Sequence, residues 1–120
     1  MGPLTTHVLN TASGRPASDM RISIDRNMSA DDSSFDWQNI GETMTNSDGR
    51  GPGILSPAEE AAFAEGVYKM TFFTKEYFDR TGEATFYPYV EVVFRITDVT
   101  QHYHIPLLIS PYGYSTYRGS

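Results

Sequence analysis

Short segments in which apolar and polar residues alternate place the strongest limit on how this chain can fold. Residues 20–26 (MRISIDR) carry an apolar side chain at every second position from Met20 to Ile24. Residues 89–96 (YVEVVFRI) likewise place four apolar residues on one side. A period of two residues is typical of strands with one buried face. Both segments therefore predict strands that cover a hydrophobic core.

Other strand-like segments, separated by Gly, Pro, Asn and Asp, account for much of the remaining chain: residues 4–9, 35–44, 67–73, 101–110 and 112–118. Seven or eight short strands at this spacing are typical of a sandwich or a barrel. The pattern therefore predicts an all-β fold.

Two short helices are expected between the strands. Ser56 followed by Pro57 is typical of a helix start, with serine as the N-cap and proline at the first helical position. We expect Gly66 to end this helix. A second helix of one or two turns is predicted over residues 75–80, ending at Gly82.

Size and charge narrow the classes of function. A chain of 120 residues has the usual size of one domain, so we expect a single domain over residues 1–120. It has no cysteine, which excludes thiolate catalysis and thiolate metal sites. A net charge of −6 argues against binding to nucleic acid or to an anionic membrane. Without a long apolar run or a signal-like N-terminus, we expect a cytoplasmic protein, with the peroxisome as an alternative compartment.

Two of the three histidines stand in the segment His102-Tyr103-His104. On a strand, their imidazoles share one face. Such a pair is compatible with three interpretations: polar residues on a sheet surface, a metal site completed by His7, or acid–base catalysis. A neutral histidine can activate water or donate to a leaving nitrogen.

Arg50 is surrounded by three glycines, at positions 49, 51 and 53. Glycines permit a ligand to approach the backbone, and a guanidinium binds carbonyl or anionic oxygens with a planar fork. An ordinary turn with an exposed arginine is the alternative interpretation.

The last nine residues, 112–120, are aromatic and strand-forming, which is unusual for a chain end. We therefore expect the tail to be packed, with Tyr117 or Arg118 and the terminal carboxylate available to a site. A plain edge strand explains the same pattern.

Several segments together resemble the transthyretin family, and within it the enzyme branch that hydrolyses 5-hydroxyisourate. They are residues 4–17, 45–50, 86–91 and 102–108 and the final Tyr117-Arg118-Gly119-Ser120. The paired histidines and the Tyr-Arg-Gly-Ser ending distinguish that branch from the hormone carriers of the family. The resemblance extends over nearly the whole chain.

The resemblance implies a transthyretin-like antiparallel sandwich of two sheets, and a homotetramer built as a dimer of dimers with its sites between the dimers. It implies catalytic roles for His7, Arg50, His104 and Ser120. Substrate binding would fall to three tail residues: Tyr117, Arg118 and Gly119. No metal or other cofactor is implied, and His102 has no assured role.

The implied reaction is hydrolysis of the ring amide of 5-hydroxyisourate to 2-oxo-4-hydroxy-4-carboxy-5-ureidoimidazoline, a step of urate breakdown. Histidine would activate water, and Arg50 would stabilise the oxyanion. Two alternatives stay open: a carrier of a small hydrophobic ligand without catalysis, and a metal-dependent hydrolase.

Overall fold

Two four-stranded sheets form the protein, which is described here for residues 2–120 by a computed structural model. The first sheet has the order β2-β1-β7-β8 and the second β4-β3-β5-β6. The strands are β1 Leu4–Asn10, β2 Arg15–Pro16, β3 Arg21–Asn27, β4 Trp37–Met44, β5 Gly66–Phe72, β6 Val90–Ile96, β7 Tyr103–Ser110 and β8 Gly113–Thr116. The helices are α1 Pro57–Ala61 and α2 Thr74–Thr81. The predicted all-β fold of two sheets with two short helices is confirmed.

The β1–β7 pair is parallel, whereas the other paired strands are antiparallel. This pair differs from the fully antiparallel sandwich that we expected. Because the whole second sheet separates β1 from β7 along the chain, no tight hairpin dictates their relative direction. The parallel register places Thr5 opposite His104 and His7 opposite Pro106.

The core lies between the sheets and is built from the inward positions of the alternating strands. Met20, Ile22 and Ile24, the apolar set predicted for residues 20–26, are all fully buried. Val8 and Leu107 close the core from the opposite sheet and are also fully buried. Burial of each such side chain contributes about 1.5–3 kcal/mol. The side chains at the outward positions of β1 and β7 do not belong to this core and lie on the outer face of the first sheet.

The first helix begins at Pro57 as predicted but ends earlier, and the second begins at Thr74, one residue before the predicted range. The Ser56 Oγ accepts a hydrogen bond from the Glu59 amide at 3.2 Å, which caps α1. The prediction that Gly66 ends this helix is wrong, because Gly66 pairs with Ile96 as the first residue of β5. Gly82 ends α2 in a left-handed conformation, as predicted. No helix within residues 2–120 is long and apolar enough to cross a membrane.

Candidate active site

The outer face of β1 carries the first of the predicted catalytic side chains. Along this strand Thr6 and Val8 are buried, whereas Thr5 and His7 face outward. His104 faces outward from the neighbouring β7 and is half-buried. The alternation of two paired strands therefore brings His7 and His104 to one face of one sheet.

A tight turn brings Arg50 to the same face. His7 and Arg50 form an isolated antiparallel bridge, and the Val8 amide donates to the Gly49 carbonyl at 2.8 Å. Gly49 has φ 77°, and a Cβ there would stand 2.3 Å from the Val8 carbonyl oxygen. The Asn46 side-chain oxygen accepts from the Arg50 amide at 3.0 Å. The glycine at position 49 therefore permits the close approach that puts Arg50 beside β1.

The turn and β1 enclose an open depression of about 400 Å³. Its walls are formed by Thr5, Thr6, Asn46, Arg50, Gly51 and Pro52. This lining supplies hydroxyls, an amide and a guanidinium, which suit a small ligand rich in oxygen and nitrogen.

The two histidines of β7 share one hydroxyl. The Thr5 Oγ1 lies 2.9 Å from the His102 Nε2 and 2.8 Å from the His104 Nδ1. The other ring nitrogen of His102, Nδ1, lies 2.8 Å from the Gly2 carbonyl oxygen. Both nitrogens of His102 are thus engaged within the chain. No group of three or more His, Asp or Glu side chains that could hold a metal ion is found among residues 2–120.

Burial and charge both keep His104 neutral. Partial burial lowers the pKa of His104 below the ordinary histidine value, because the imidazolium is less well solvated there. The positive charge of Arg50 lowers this pKa further, and the neighbouring His102 and His7 add smaller effects. A neutral imidazole can accept a proton from water at neutral pH.

The chain end is attached to His104 through Gly119. The Gly119 amide donates to the His104 carbonyl at 2.9 Å, and the two residues form an isolated antiparallel bridge. Ser120 follows directly and is exposed. The structure therefore brings together His7, Arg50, His104 and Gly119. Ser120 follows Gly119 directly in the chain.

Tyr117 and Arg118 are not placed with this group. The Arg118 guanidinium donates to the Gln101 side-chain oxygen at 2.7 Å and lies 4.6 Å from the centre of the Tyr103 ring. Tyr103 is buried on the core side of β7, opposite His104. Tyr117 is 61% exposed and borders a groove beside Val93. The backbone of the tail is held, but its side chains are not packed as we expected, and their roles in substrate binding stay predictions.

Sequence reasoning missed Thr5. Its position two residues before His7 places it on the histidine face, but threonine is an ordinary strand residue and gives no chemical signal of its own. Only the parallel register of β1 with β7 shows that its hydroxyl lies between His102 and His104.

Proteins similar to this chain in sequence or structure include 5-hydroxyisourate hydrolases and a transthyretin. A 5-hydroxyisourate hydrolase of Mus musculus is 48% identical to this chain over 118 residues, which cover 98% of this chain and 95% of the mouse protein. The structure of Klebsiella pneumoniae 5-hydroxyisourate hydrolase matches with a TM-score of 0.80 at 30% identity, covering 100% of this chain and 94% of that chain. Sea bream transthyretin, solved in complex with thyroxine, matches with a TM-score of 0.86 at 29% identity, covering 98% of this chain and 94% of that chain.

The family relationship is established by the extent of these matches. The sequence model of the HIUase/Transthyretin family matches residues 4–119. The mouse relative matches over nearly the same length at 48% identity. The resemblance inferred from the paired histidines and the tail is thereby confirmed, and this chain belongs to the HIUase/transthyretin family.

Proposed function

We propose that this protein hydrolyses 5-hydroxyisourate in urate breakdown. The observation that supports this most directly is the gathering of His7, Arg50 and His104 on one sheet face. The neutral imidazole of His104, the nearby charge of Arg50 and the open depression that Arg50 and Thr5 line together suit attack of water on a carbonyl carbon. The 48% identity to the mouse 5-hydroxyisourate hydrolase favours this substrate over other cyclic amides.

In the proposed reaction, His104 takes a proton from water with the help of His7. The resulting hydroxide adds to the ring carbonyl carbon, and Arg50 stabilises the negative charge on the carbonyl oxygen. The tetrahedral intermediate collapses with cleavage of the carbon–nitrogen bond. The proton then passes to the leaving nitrogen, which gives 2-oxo-4-hydroxy-4-carboxy-5-ureidoimidazoline. No oxidant or reductant is needed.

The chain end is proposed to complete the site. Gly119 holds Ser120 close to His104, from where the Ser120 hydroxyl can contact the substrate or relay a proton. For Tyr117 and Arg118 to bind substrate, their side chains must leave the positions that they occupy beside Val93 and Gln101.

We further propose a homotetramer, a dimer of dimers in which the histidine faces of the first sheet meet across a channel. The support is that His7 and Arg50 lie on an uncovered sheet face, where one chain forms only an open depression. A second copy would enclose the substrate and exclude water. A variant that is monomeric by sedimentation but keeps its fold should therefore be inactive; full activity in such a variant contradicts the shared site.

The test follows the ultraviolet decay of freshly generated 5-hydroxyisourate with and without the protein. We expect faster decay with the wild-type chain, and a rate about 10²–10⁴ lower for His104→Asn, the usual contribution of one acid–base group. Decay at the uncatalysed rate with folded wild-type protein contradicts the proposal.

The same assay separates the two alternatives. The similarity to a thyroxine complex of sea bream transthyretin favours a carrier as the second candidate. A carrier would bind thyroxine without accelerating the decay. A metal-dependent hydrolase would lose activity on treatment with a chelator and regain it with zinc, whereas the proposed mechanism predicts activity that a chelator does not change.

A further inference from the structure

The hydrogen bonds of His102, Thr5 and His104 form one continuous chain that begins at the Gly2 carbonyl. We propose that Thr5 and His102 are positioning residues that fix the tautomer of His104, with the proton on Nδ1 and the lone pair on Nε2. The inference rests on the proposed function for its catalytic meaning, since it assigns the Nε2 of His104 as the atom that deprotonates water.

The direction of each hydrogen bond follows from what its atoms can do. A backbone carbonyl only accepts, so the Nδ1 of His102 donates to Gly2. In neutral His102, Nε2 is therefore an acceptor, and it takes the single proton of the Thr5 hydroxyl. The Thr5 oxygen then accepts from the Nδ1 of His104. At about pH 8, above the ordinary histidine pKa of about 6.5 and so above the lowered pKa of His104, this ring is neutral, and with the proton on Nδ1 its Nε2 carries none.

This assignment gives His102 a role that its spacing alone did not reveal. Both of its ring nitrogens make hydrogen bonds, and its hydrogen-bond connection to His104 runs through the Thr5 hydroxyl. A fixed tautomer matters because an imidazole protonated on the wrong nitrogen cannot act as a base toward the substrate side.

Thr5 offers a clean pair of variants. Thr5→Val keeps a β-branched residue on β1 and removes only the hydroxyl, whereas Thr5→Ser keeps the hydroxyl. Thr11→Val is a matched control from just beyond the end of the same strand. It removes a hydroxyl that donates to the Ile109 carbonyl at 2.9 Å and touches no histidine.

The decisive measurement is nitrogen NMR of protein labelled in the histidine rings, at about pH 8, above the ordinary histidine pKa of about 6.5. Single-histidine variants assign the signals. We expect the wild-type chain and Thr11→Val to show the His104 proton on Nδ1, and Thr5→Val and His102→Phe to show a mixture of tautomers. A wild-type His104 that is protonated on Nε2 overturns the inference.

Kinetics provide the second measurement. We expect Thr5→Val to lower kcat about tenfold. This is the lower end of the roughly 10–100-fold loss seen when a residue that orients a functional histidine in a metal site is replaced. KM should change little, and Thr5→Ser should recover most of the loss. Equal kcat in Thr5→Val and Thr11→Val contradicts a positioning role. If the predicted tautomer is found in a chain that does not accelerate 5-hydroxyisourate decay, the proposed function fails while the ring assignment stands.

Discussion

Gly119 donates its backbone amide to the carbonyl of His104 at 2.9 Å and also lies against the imidazole of the same residue. A Cβ at position 119 would stand 2.5 Å from the His104 Cδ2 and 3.1 Å from its Cγ. The chain end and the proposed base are therefore in direct contact, and the contact requires glycine.

Replacing Gly119 with alanine should displace the His104 ring. We expect Gly119→Ala to lower kcat for 5-hydroxyisourate about tenfold or more, since misplacing a catalytic group by about 1 Å can cost about 100-fold. The free energy of unfolding should change little, because the added Cβ meets the half-buried His104 ring and no core side chain. Gly113→Ala on β8 is the matched control, since its Cβ would meet only the Ser110 Oγ, at 3.5 Å. Equal activity of the two variants would show that the ring position does not matter.

Removing the charge of Arg50 should change the pH dependence of the reaction. Arg50 helps to lower the pKa of His104, so Arg50→Gln should raise this pKa. On acidification His104 would then be protonated at a higher pH, so the acid limb of the kcat/KM profile should shift to higher pH. The rate should also fall at all pH values. Arg15→Gln, an exposed arginine on β2, is the control. An NMR titration of the His104 ring measures the same shift directly, and an unchanged midpoint contradicts the effect of Arg50.

The lowered pKa of His104 also has a consequence for stability. Between the folded pKa and the unfolded value of about 6.5, the unfolded chain binds more protons at this position. This residue therefore makes the fold less stable as pH falls through that window, and the effect is complete below the folded pKa. Urea unfolding at pH 7 and at pH 5 should show a smaller loss for His104→Asn than for the wild type. Equal losses, at equal protein concentration, would falsify this link.

Alanine variants of two glycines in the Arg50 turn can distinguish the cost of backbone strain from the cost of a steric clash. Gly49 and Gly53 both have positive φ, 77° and 65°. Alanine should cost about 1–2 kcal/mol at either position from the left-handed conformation. At position 49 the clash with the Val8 carbonyl should add about 1–3 kcal/mol, whereas a Cβ at position 53 meets nothing within 4 Å. Chemical unfolding of Gly49→Ala and Gly53→Ala measures the difference. If both variants lose the same stability, the clash is relieved elsewhere.

Deleting residues 117–120 should abolish activity and leave the fold intact. The deletion removes the contact of Gly119 with the half-buried His104. It also removes the contacts of Arg118 with Gln101 and the Tyr103 ring, and no buried side chain is lost. Circular dichroism and thermal unfolding check the fold, and the decay of 5-hydroxyisourate checks the activity. A truncated chain with wild-type turnover would assign the tail a structural role only.

The sequence predicted those features of the fold that depend on neighbouring residues in the chain. The alternation of residues 20–26 identified the buried Met20, Ile22 and Ile24. Side chains of a strand point to alternate faces whichever strand it pairs with, so this burial can be read from the local sequence. Gly66 misled because glycine occurs at strand bends and bulges as well as just after helix ends. Thus segment boundaries were less well predicted than the burial of the strands.

The site could be predicted only in part. His7, Arg50 and His104 carry recognisable chemistry, and all three stand in the segments that resemble the family, so their placement on one face could be expected. The role of Thr5 depends on a register between strands that are far apart in the chain, which no local pattern encodes. The positions of Tyr117 and Arg118 depend on contacts with Gln101 and Tyr103, which are likewise set by the three-dimensional fold.

The parallel pairing of β1 with β7 also determines when the site can exist during folding. Thr5 and His104 are 99 residues apart in the chain, so their hydrogen bond closes a loop that contains the entire second sheet. Contacts of such long range form slowly, because the entropy of loop closure is lost before they stabilise the structure. Because β7 follows the second sheet in the chain, a chain in which β7 has not yet docked can pair the strands of that sheet while it still lacks His104 at the site. Recovery of 5-hydroxyisourate turnover after dilution from denaturant should therefore follow the docking of β1 against β7 rather than the pairing of strands within the second sheet.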